Sequence, residues 1–138
     1  MEITSKDMQY FSQARNIAEL STFNRVHVGC VIVYHNKVIS TGCNRDRTDP
    51  LQRKYNRARN IPEWSPHKVH AEVDAIKHVL NLDINWKNAA IYIYRIRRDQ
   101  PFGMARPCKS CMELIKDLGI RHIYYTSDDG YVYERIET

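Results

Sequence analysis

The sequence lacks long apolar runs, an apolar N-terminal segment and enough cysteines for a disulfide-based fold. No stretch approaches the ~18 consecutive apolar residues of a membrane-spanning helix, so we predict no association with a membrane. The opening residues, MEITSKDMQYF, carry charge where a secretory signal would be apolar, and we therefore expect an uncleaved cytoplasmic protein. Four cysteines in such a chain favour metal ligands or free thiols over disulfides.

The composition is that of one ordinary globular domain. The chain has 138 residues, 43% of them apolar and 27% charged, which is enough to bury a single core. We therefore predict one domain over residues 1–138. The formal net charge is +5, and an excess of positive charge suits a partner that carries phosphate.

Two short motifs carry the chemistry: HAE at residues 70–72 and PCKSC at residues 107–111. One imidazole (His70) and two thiolates (Cys108 and Cys111) are the ligands that a tetrahedral zinc site takes, and three protein ligands leave one position for water. Zinc lowers the pKa of such a water to about 7. On the first turn of a helix, Glu72 can reach that water without binding the metal. Cysteines three residues apart share one face of a helical turn.

H-x-E followed by P-C-x-x-C resembles the cytidine and deoxycytidylate deaminase superfamily, the zinc-dependent nucleobase deaminases. The motifs match at HAEVDAI (residues 70–76) and PCKSC, and looser similarity spans residues 28–125. The resemblance implies that His70, Cys108 and Cys111 hold Zn²⁺ and that Glu72 is the catalytic proton carrier. It also implies substrate contacts from five further residues, namely Gly29, Asn44, Ala71, Arg106 and Pro107.

Hydrophobic periodicity predicts alternating helices and strands along the chain. Helices are expected at residues 5–21, 51–59, 70–81 and 107–119, and strands at residues 28–34, 38–43, 89–94, 122–125 and 131–135. A tight turn before the last strand predicts that it runs antiparallel to its predecessor. Together with the resemblance, this pattern predicts a three-layer α/β/α cytidine deaminase-like fold with a mixed five-stranded sheet.

Two positions outside the motifs have competing interpretations. Gly29, inside the first strand, marks a place where another backbone or a ligand approaches closely, and the resemblance places it on the floor of the base pocket. Asn44 follows the second strand and is either a turn residue or, by the resemblance, a hydrogen-bond partner of the substrate sugar.

Two segments are rich in basic residues. Residues 44–60 contain six of them against two acidic ones. Residues 95–106 separate the third strand from PCKSC and contain four arginines. This second segment either continues the strand and doubles back or forms a loop over the pocket, and we consider it a candidate substrate-gating or phosphate-binding loop.

Three functions remain open from the sequence. The favoured one is hydrolytic deamination of a cytosine nucleotide or nucleoside, with dCMP converted to dUMP, because the basic segments offer partners for a phosphate. The alternative is a deaminase of cytosine or adenine in single-stranded DNA or RNA, which the +5 charge and nine tyrosines would suit. The third is a non-catalytic zinc module, in which another side chain closes the fourth position.

The subgroup and the assembly are less well defined. Free cytidine deaminases share the antiparallel last strand but usually carry cysteine where this chain has His70, so the sequence mixes features of two subgroups. The small size and the resemblance imply a homo-oligomer.

Overall fold

Five strands form one sheet between helices in the computed structural model of the chain, which describes residues 3–22, 26–58, 68–97, 99 and 102–137. In chain order the elements are α1 (Ser5–Ala18), β1 (His27–Tyr34), β2 (Lys37–Cys43), α2 (Pro50–Ala58), α3 (Ala71–Lys77), a 3₁₀ turn (Trp86–Asn88), β3 (Ala89–Ile96), α4 (Lys109–Leu118), β4 (His122–Ser127) and β5 (Gly130–Arg135). No helix in these ranges is long and apolar enough to cross a membrane.

The sheet is mixed, as predicted. Its strand order is β2-β1-β3-β4-β5, with β1 antiparallel to both β2 and β3. Helix α4 connects β3 to β4, which run parallel, since a parallel pair needs a crossover connection of this kind. Strand β5 returns antiparallel to β4, and the predicted direction of the last strand is confirmed.

The helices divide into two layers because successive strand residues point to opposite faces of the sheet. Helix α1 packs on one face, and the buried residues there are Tyr10, Phe11, Ala14, Val31, Val33, Tyr92 and Tyr94. Helices α3 and α4 pack on the other face, where the larger cluster includes Cys30, Ile32, Ile76, Ile91, Ile93, Ile115 and Ile123. The predicted three-layer arrangement is therefore confirmed, with the metal motifs on the α3–α4 face.

Several predicted helix ends are wrong by a few residues. Helix α1 ends at Ala18, and α3 ends at Lys77, where bonds from Val79 N–H to the Ile76 carbonyl and from Leu82 N–H to the Val79 carbonyl replace the helical pattern. Leu80, inside the predicted helix but beyond its observed end, is consequently 40% exposed.

Gly29 lies against α1. A Cβ at Gly29 would stand 2.0 Å from the Ala14 carbonyl oxygen and 2.4 Å from the Ala18 nitrogen, distances that real Cβ atoms do not tolerate. The close approach predicted for this residue is thus made by the backbone of a helix. The contact of Gly29 with a substrate base stays a prediction.

Candidate active site

The three candidate metal ligands meet where α3 and α4 begin. His70 is the N-cap residue of α3, Cys108 is the N-cap residue of α4, and Cys111 lies in the first turn of α4. His70 Nδ1 lies 3.3 Å from the Cys111 sulfur and 3.5 Å from the Cys108 sulfur. All three ligand atoms lie within 4.8 Å of one another. The fold thus brings together side chains that are 38 and 41 positions apart along the chain.

These distances fit zinc. Bond lengths of about 2.3 Å to sulfur and 2.0–2.1 Å to nitrogen at a tetrahedral angle place N and S about 3.6 Å apart, close to the separations observed here. One imidazole and two thiols are a suitable donor set for this borderline-soft ion. Among the described residues no fourth histidine, cysteine or carboxylate joins the cluster, so the arrangement corresponds to a three-ligand site with one open position.

The ligands polarise one another. A hydrogen bond with Cys111 and, to a smaller extent, contacts with His70 together lower the pKa of Cys108 to about 4 against the opposing effect of burial. The same hydrogen bond, together with burial, raises the pKa of Cys111 well above its usual range. Burial lowers the pKa of His70, but its contacts with Cys108 and Glu72 raise it by more. Cys108 is therefore a thiolate and Cys111 a thiol, and a divalent cation held by both sulfurs would displace the proton of Cys111.

Glu72 is held in the first turn of α3 with only 6% of its surface exposed. Burial raises its pKa, while the charge of His70 acts in the opposite direction. A carboxyl group whose pKa is moved toward neutrality takes up and releases protons efficiently at physiological pH. The role of Glu72 as a proton carrier stays a prediction, and its burial and raised pKa are compatible with it.

A cavity of about 610 Å³ opens at this cluster. Its lining consists of Val26, Val28, Asn44, Asp46, Lys68, Val69, His70, Ala71, Glu72, Arg95, Met104, Ala105, Arg106 and Cys108. Three of the five predicted substrate contacts, Asn44, Ala71 and Arg106, therefore face the cavity. Gly29 and Pro107 do not line it. Pro107 is buried and precedes the N-cap Cys108, which places it outside the helix that it was expected to start.

The Asn44 side chain is mostly engaged within the protein. Its Oδ1 accepts hydrogen bonds from the Ser21 hydroxyl at 2.6 Å and from Val28 N–H at 2.9 Å. Its Nδ2 donates to the Val26 carbonyl at 2.7 Å. These bonds fix the amide plane at the cavity. The second N–H of the amide has no partner among the residues that the structure describes, and the expected sugar contact remains a prediction.

Two of the three long cationic side chains in the cavity wall already have carboxylate partners. Lys68 pairs with Asp46 at 3.0 Å, and Arg106 makes two bonds of 2.9 Å to Glu134. The guanidinium of Arg95 has no ion pair within the described ranges, and its Nε is buried without a hydrogen-bond partner. Arg95 is therefore the lining cation with the most unused donor capacity.

The segment from 95 to 106 continues β3 and then doubles back. Gly103 N–H donates to the Arg95 carbonyl at 3.0 Å. The buried Thr126 hydroxyl accepts from Arg95 N–H at 3.1 Å and donates to the Gly103 carbonyl at 2.7 Å. The returning residues then form one wall of the cavity. The first of the two predicted arrangements is confirmed, although residues 98, 100 and 101 lie outside the described ones.

A family comparison agrees with this geometry. The model of the cytidine and deoxycytidylate deaminase zinc-binding region matches residues 4–127 of the chain. The chain belongs to this family. Its members are zinc-dependent hydrolases, and the cluster of His70, Cys108 and Cys111 supplies the donors that Zn²⁺ requires.

Individual relatives are distant. ComE operon protein 2 of Bacillus subtilis (strain 168) is 26% identical over 128 residues, which are 93% of this chain and 62% of that protein. This chain thus spans less than two thirds of that relative's length. The dCMP deaminase of cyanophage S-TIM5, solved with dCMP and dUMP, has a TM-score of 0.63 at 16% identity over 91% of this chain and 85% of its own. Cytidine deaminase from Burkholderia pseudomallei has a TM-score of 0.61 at 17% identity over 93% and 91% of the two chains. These structures share the fold.

The sequence did not predict several residues of the deaminase-family site. Val28, Val69 and Met104 line the cavity but belong to no motif, and an apolar residue in a strand or loop carries no signal of its own. Gln52, whose side chain contacts the backbone of His70, lies in a predicted helix in which only the basic residues were given a functional interpretation. No local pattern distinguishes it from an exposed glutamine.

Proposed function

We propose that the protein catalyses hydrolytic deamination of a cytosine 5′-monophosphate, converting dCMP to dUMP. The observation that supports this most directly is the meeting of three metal ligands beside one buried carboxyl group, at a cavity that His70, Glu72 and Cys108 line. A structural zinc module would use a fourth protein ligand, and the described residues offer none at this cluster. The buried Glu72 would have no purpose in such a module.

The proposed roles follow from the positions of the side chains. Zinc, when bound, supplies a Lewis acid that lowers the pKa of water to about 7. Glu72 takes a proton from the attacking water, passes it to the ring nitrogen N3, and delivers a second proton to the departing amine. A C–O bond forms at C4 while the C–N bond breaks, so cytosine and water become uracil and ammonia. The apolar part of the cavity wall, with Val28, Val69 and Met104, excludes bulk water from the base.

The preference for a monophosphate rests on Arg95. Arg95 lines the cavity and pairs with no carboxylate among the described residues, and its Nη1 makes one long contact of 3.4 Å with the Met104 carbonyl, so its terminal N–H groups keep donor capacity for a ligand. Arginine is well suited to phosphate because two parallel N–H groups match two oxygens. The dCMP and dUMP bound to the S-TIM5 enzyme, which has the same fold, are consistent with this preference.

An ammonia-release assay tests the proposal. The zinc-loaded protein is offered dCMP, CMP, deoxycytidine, cytidine, adenosine and single-stranded oligonucleotides, and dCMP should give the highest kcat/KM. Glu72→Gln should retain one zinc per chain and lose activity by about 10²- to 10⁴-fold, the usual contribution of a proton carrier. Failure of the wild-type protein to act on any nucleotide, or loss of zinc in Glu72→Gln, would contradict the assignment.

A second candidate is a deaminase that acts on single-stranded nucleic acid. One face of α2 presents Arg53, Lys54 and Arg57 around a cavity of about 400 Å³, and α2 contains no acidic residue in its first turn. Such a face could follow the phosphates that flank a base held in the main cavity. Activity on an oligonucleotide above that on dCMP, falling steeply with added salt, would favour this candidate.

A further inference from the structure

Gln52 is a fully buried polar residue in the third position of α2. Its side chain is 0% exposed. Its Oε1 accepts a hydrogen bond of 3.0 Å from the backbone N–H of His70, and its Nε2 donates to Asn56 Oδ1 at 3.0 Å. Both ends of the amide are therefore engaged, which fixes its orientation. A buried amide persists only where such bonds offset its desolvation.

The contact falls on the residue that carries the metal-binding imidazole. As the N-cap residue of α3, His70 makes no side-chain cap bond of its own, because its ring is directed toward the two cysteines. Its backbone amide precedes the helical hydrogen-bond pattern and needs a partner from elsewhere. Gln52 supplies that partner from a different helix, and thereby fixes the backbone from which the imidazole projects.

Helix α2 also contacts the helix that carries the cysteines. The Tyr55 hydroxyl donates to Asp117 Oδ2 of α4 at 2.8 Å. None of the α2 side chains that the structure describes lines the main cavity, so α2 makes its contacts with the ligand-bearing helices from outside the site. It links α3 and α4, and the relative position of these two helices sets the distances among the three ligands.

We propose that Gln52 is a positioning residue for the zinc ligand His70, acting through the backbone amide. The inference rests on the metal site of the proposed function, but not on any substrate. Partners that orient a metal ligand typically contribute 10- to 100-fold to metal affinity. The role requires a hydrogen-bond acceptor at this position, and filling the volume with an apolar side chain does not replace it.

Zinc affinity of the purified protein tests the role. Gln52→Met keeps the length of the side chain but removes the acceptor, whereas Gln52→Glu keeps an oxygen acceptor at the same position. Tyr92→Phe is the matched control, because it removes a buried hydrogen bond to Asp7 on the opposite face of the sheet. Zinc dissociation constants come from competition with a chromophoric chelator, and the d–d spectrum of the cobalt-substituted protein reports the ligand geometry.

Gln52→Met should bind zinc roughly 10- to 100-fold more weakly and show an altered cobalt spectrum while its apo form keeps the wild-type circular dichroism. Gln52→Glu and Tyr92→Phe should retain the wild-type affinity. An unchanged affinity in Gln52→Met, or an equal loss in Tyr92→Phe, would overturn the proposal.

If Gln52→Met does not fold, Gln52→Asn replaces it, since one methylene less withdraws the acceptor by about 1.5 Å. Failure of both variants to fold would show an ordinary core role and also overturn the proposal. Zinc affinity is measured without substrate, so absence of deaminase activity would count against the proposed function alone.

Discussion

Replacement of Arg95 by methionine should reduce activity on dCMP and leave activity on deoxycytidine nearly unchanged. The substitution keeps the aliphatic stem, which lies over Gly103, where a Cβ would be only 2.8 Å from Arg95 Cδ. It removes the guanidinium, whose Nη1 makes only a long contact of 3.4 Å with the Met104 carbonyl. The substitution should therefore weaken binding of the ligand far more than it weakens the protein's own contacts.

The magnitude follows from the bond that is lost. A hydrogen bond between charged groups contributes about 1.5–3 kcal/mol, which corresponds to about a 10- to 150-fold reduction of kcat/KM for dCMP at 1.36 kcal/mol per factor of ten. Most of it should appear in KM, because the phosphate is remote from the reacting carbon and binds equally in the ground and transition states. Arg95→Lys retains the positive charge but lacks the planar guanidinium, so its kcat/KM for dCMP should lie between those of the wild type and Arg95→Met.

Steady-state ammonia release with both substrates measures this effect, and thermal unfolding checks the stability of each variant. Arg106→Met is the matched control, because it removes a cavity-lining cation whose two bonds of 2.9 Å already go to Glu134. Equal losses on dCMP and deoxycytidine would refute a phosphate contact by Arg95. A larger dCMP-specific loss in Arg106→Met would instead favour the substrate contact that the family resemblance implies for Arg106.

Three further predictions concern the framework of the site. Gly29→Ala should destabilise the fold by about 1–3 kcal/mol, the usual cost of overpacking, because the added Cβ would collide with the backbone of α1. Urea unfolding measures this loss of stability. A changed KM at unchanged stability would instead indicate that Gly29 contacts a ligand. Asp74 accepts bonds from Cys43 N–H and Arg45, and its pKa is lowered because these bonds and the charge of Arg45 outweigh burial. Its contribution is present above the unfolded pKa of about 4 and lost as the pH falls through the lower folded pKa. Asp74→Asn should therefore cost about 1.5–3 kcal/mol at pH 7, with the difference from wild type shrinking in acid, whereas a constant difference from pH 7 to 2 would contradict this. Removal of zinc with a chelator should leave the domain folded but lower its melting temperature. The free energy of unfolding should fall by about 4 kcal/mol relative to protein with zinc at about 1,000 times its dissociation constant. Loss of the far-UV circular dichroism on chelation would contradict this, because it would show that the apolar core alone does not keep the domain folded.

Sequence analysis was most accurate for elements whose starts and turns are determined by residues close together along the chain. The capping box of α1, in which Thr4 and Asp7 each accept a bond from the other's backbone, is encoded within four residues. The β1–β2 hairpin is similar, since His35 and Asn36 adopt the positive φ angles of 49° and 62° that a tight turn requires. Helix ends were less predictable, because α3 stops at Lys77, where turn bonds replace the helical pattern and no residue type signals the change.

The sequence alone determined the chemistry of the candidate site. The ligand types, their spacing and the carboxyl group two residues beyond the histidine are properties of side chains and of helical periodicity, and both can be read without coordinates. The tertiary structure decided which neighbours those side chains meet. It places Gly29 against α1, Arg106 against Glu134, Arg95 at the cavity and Gln52 beneath His70. Each of these contacts joins segments that are distant along the chain, and their proximity depends on how helices pack on the sheet, which residue type and spacing do not specify.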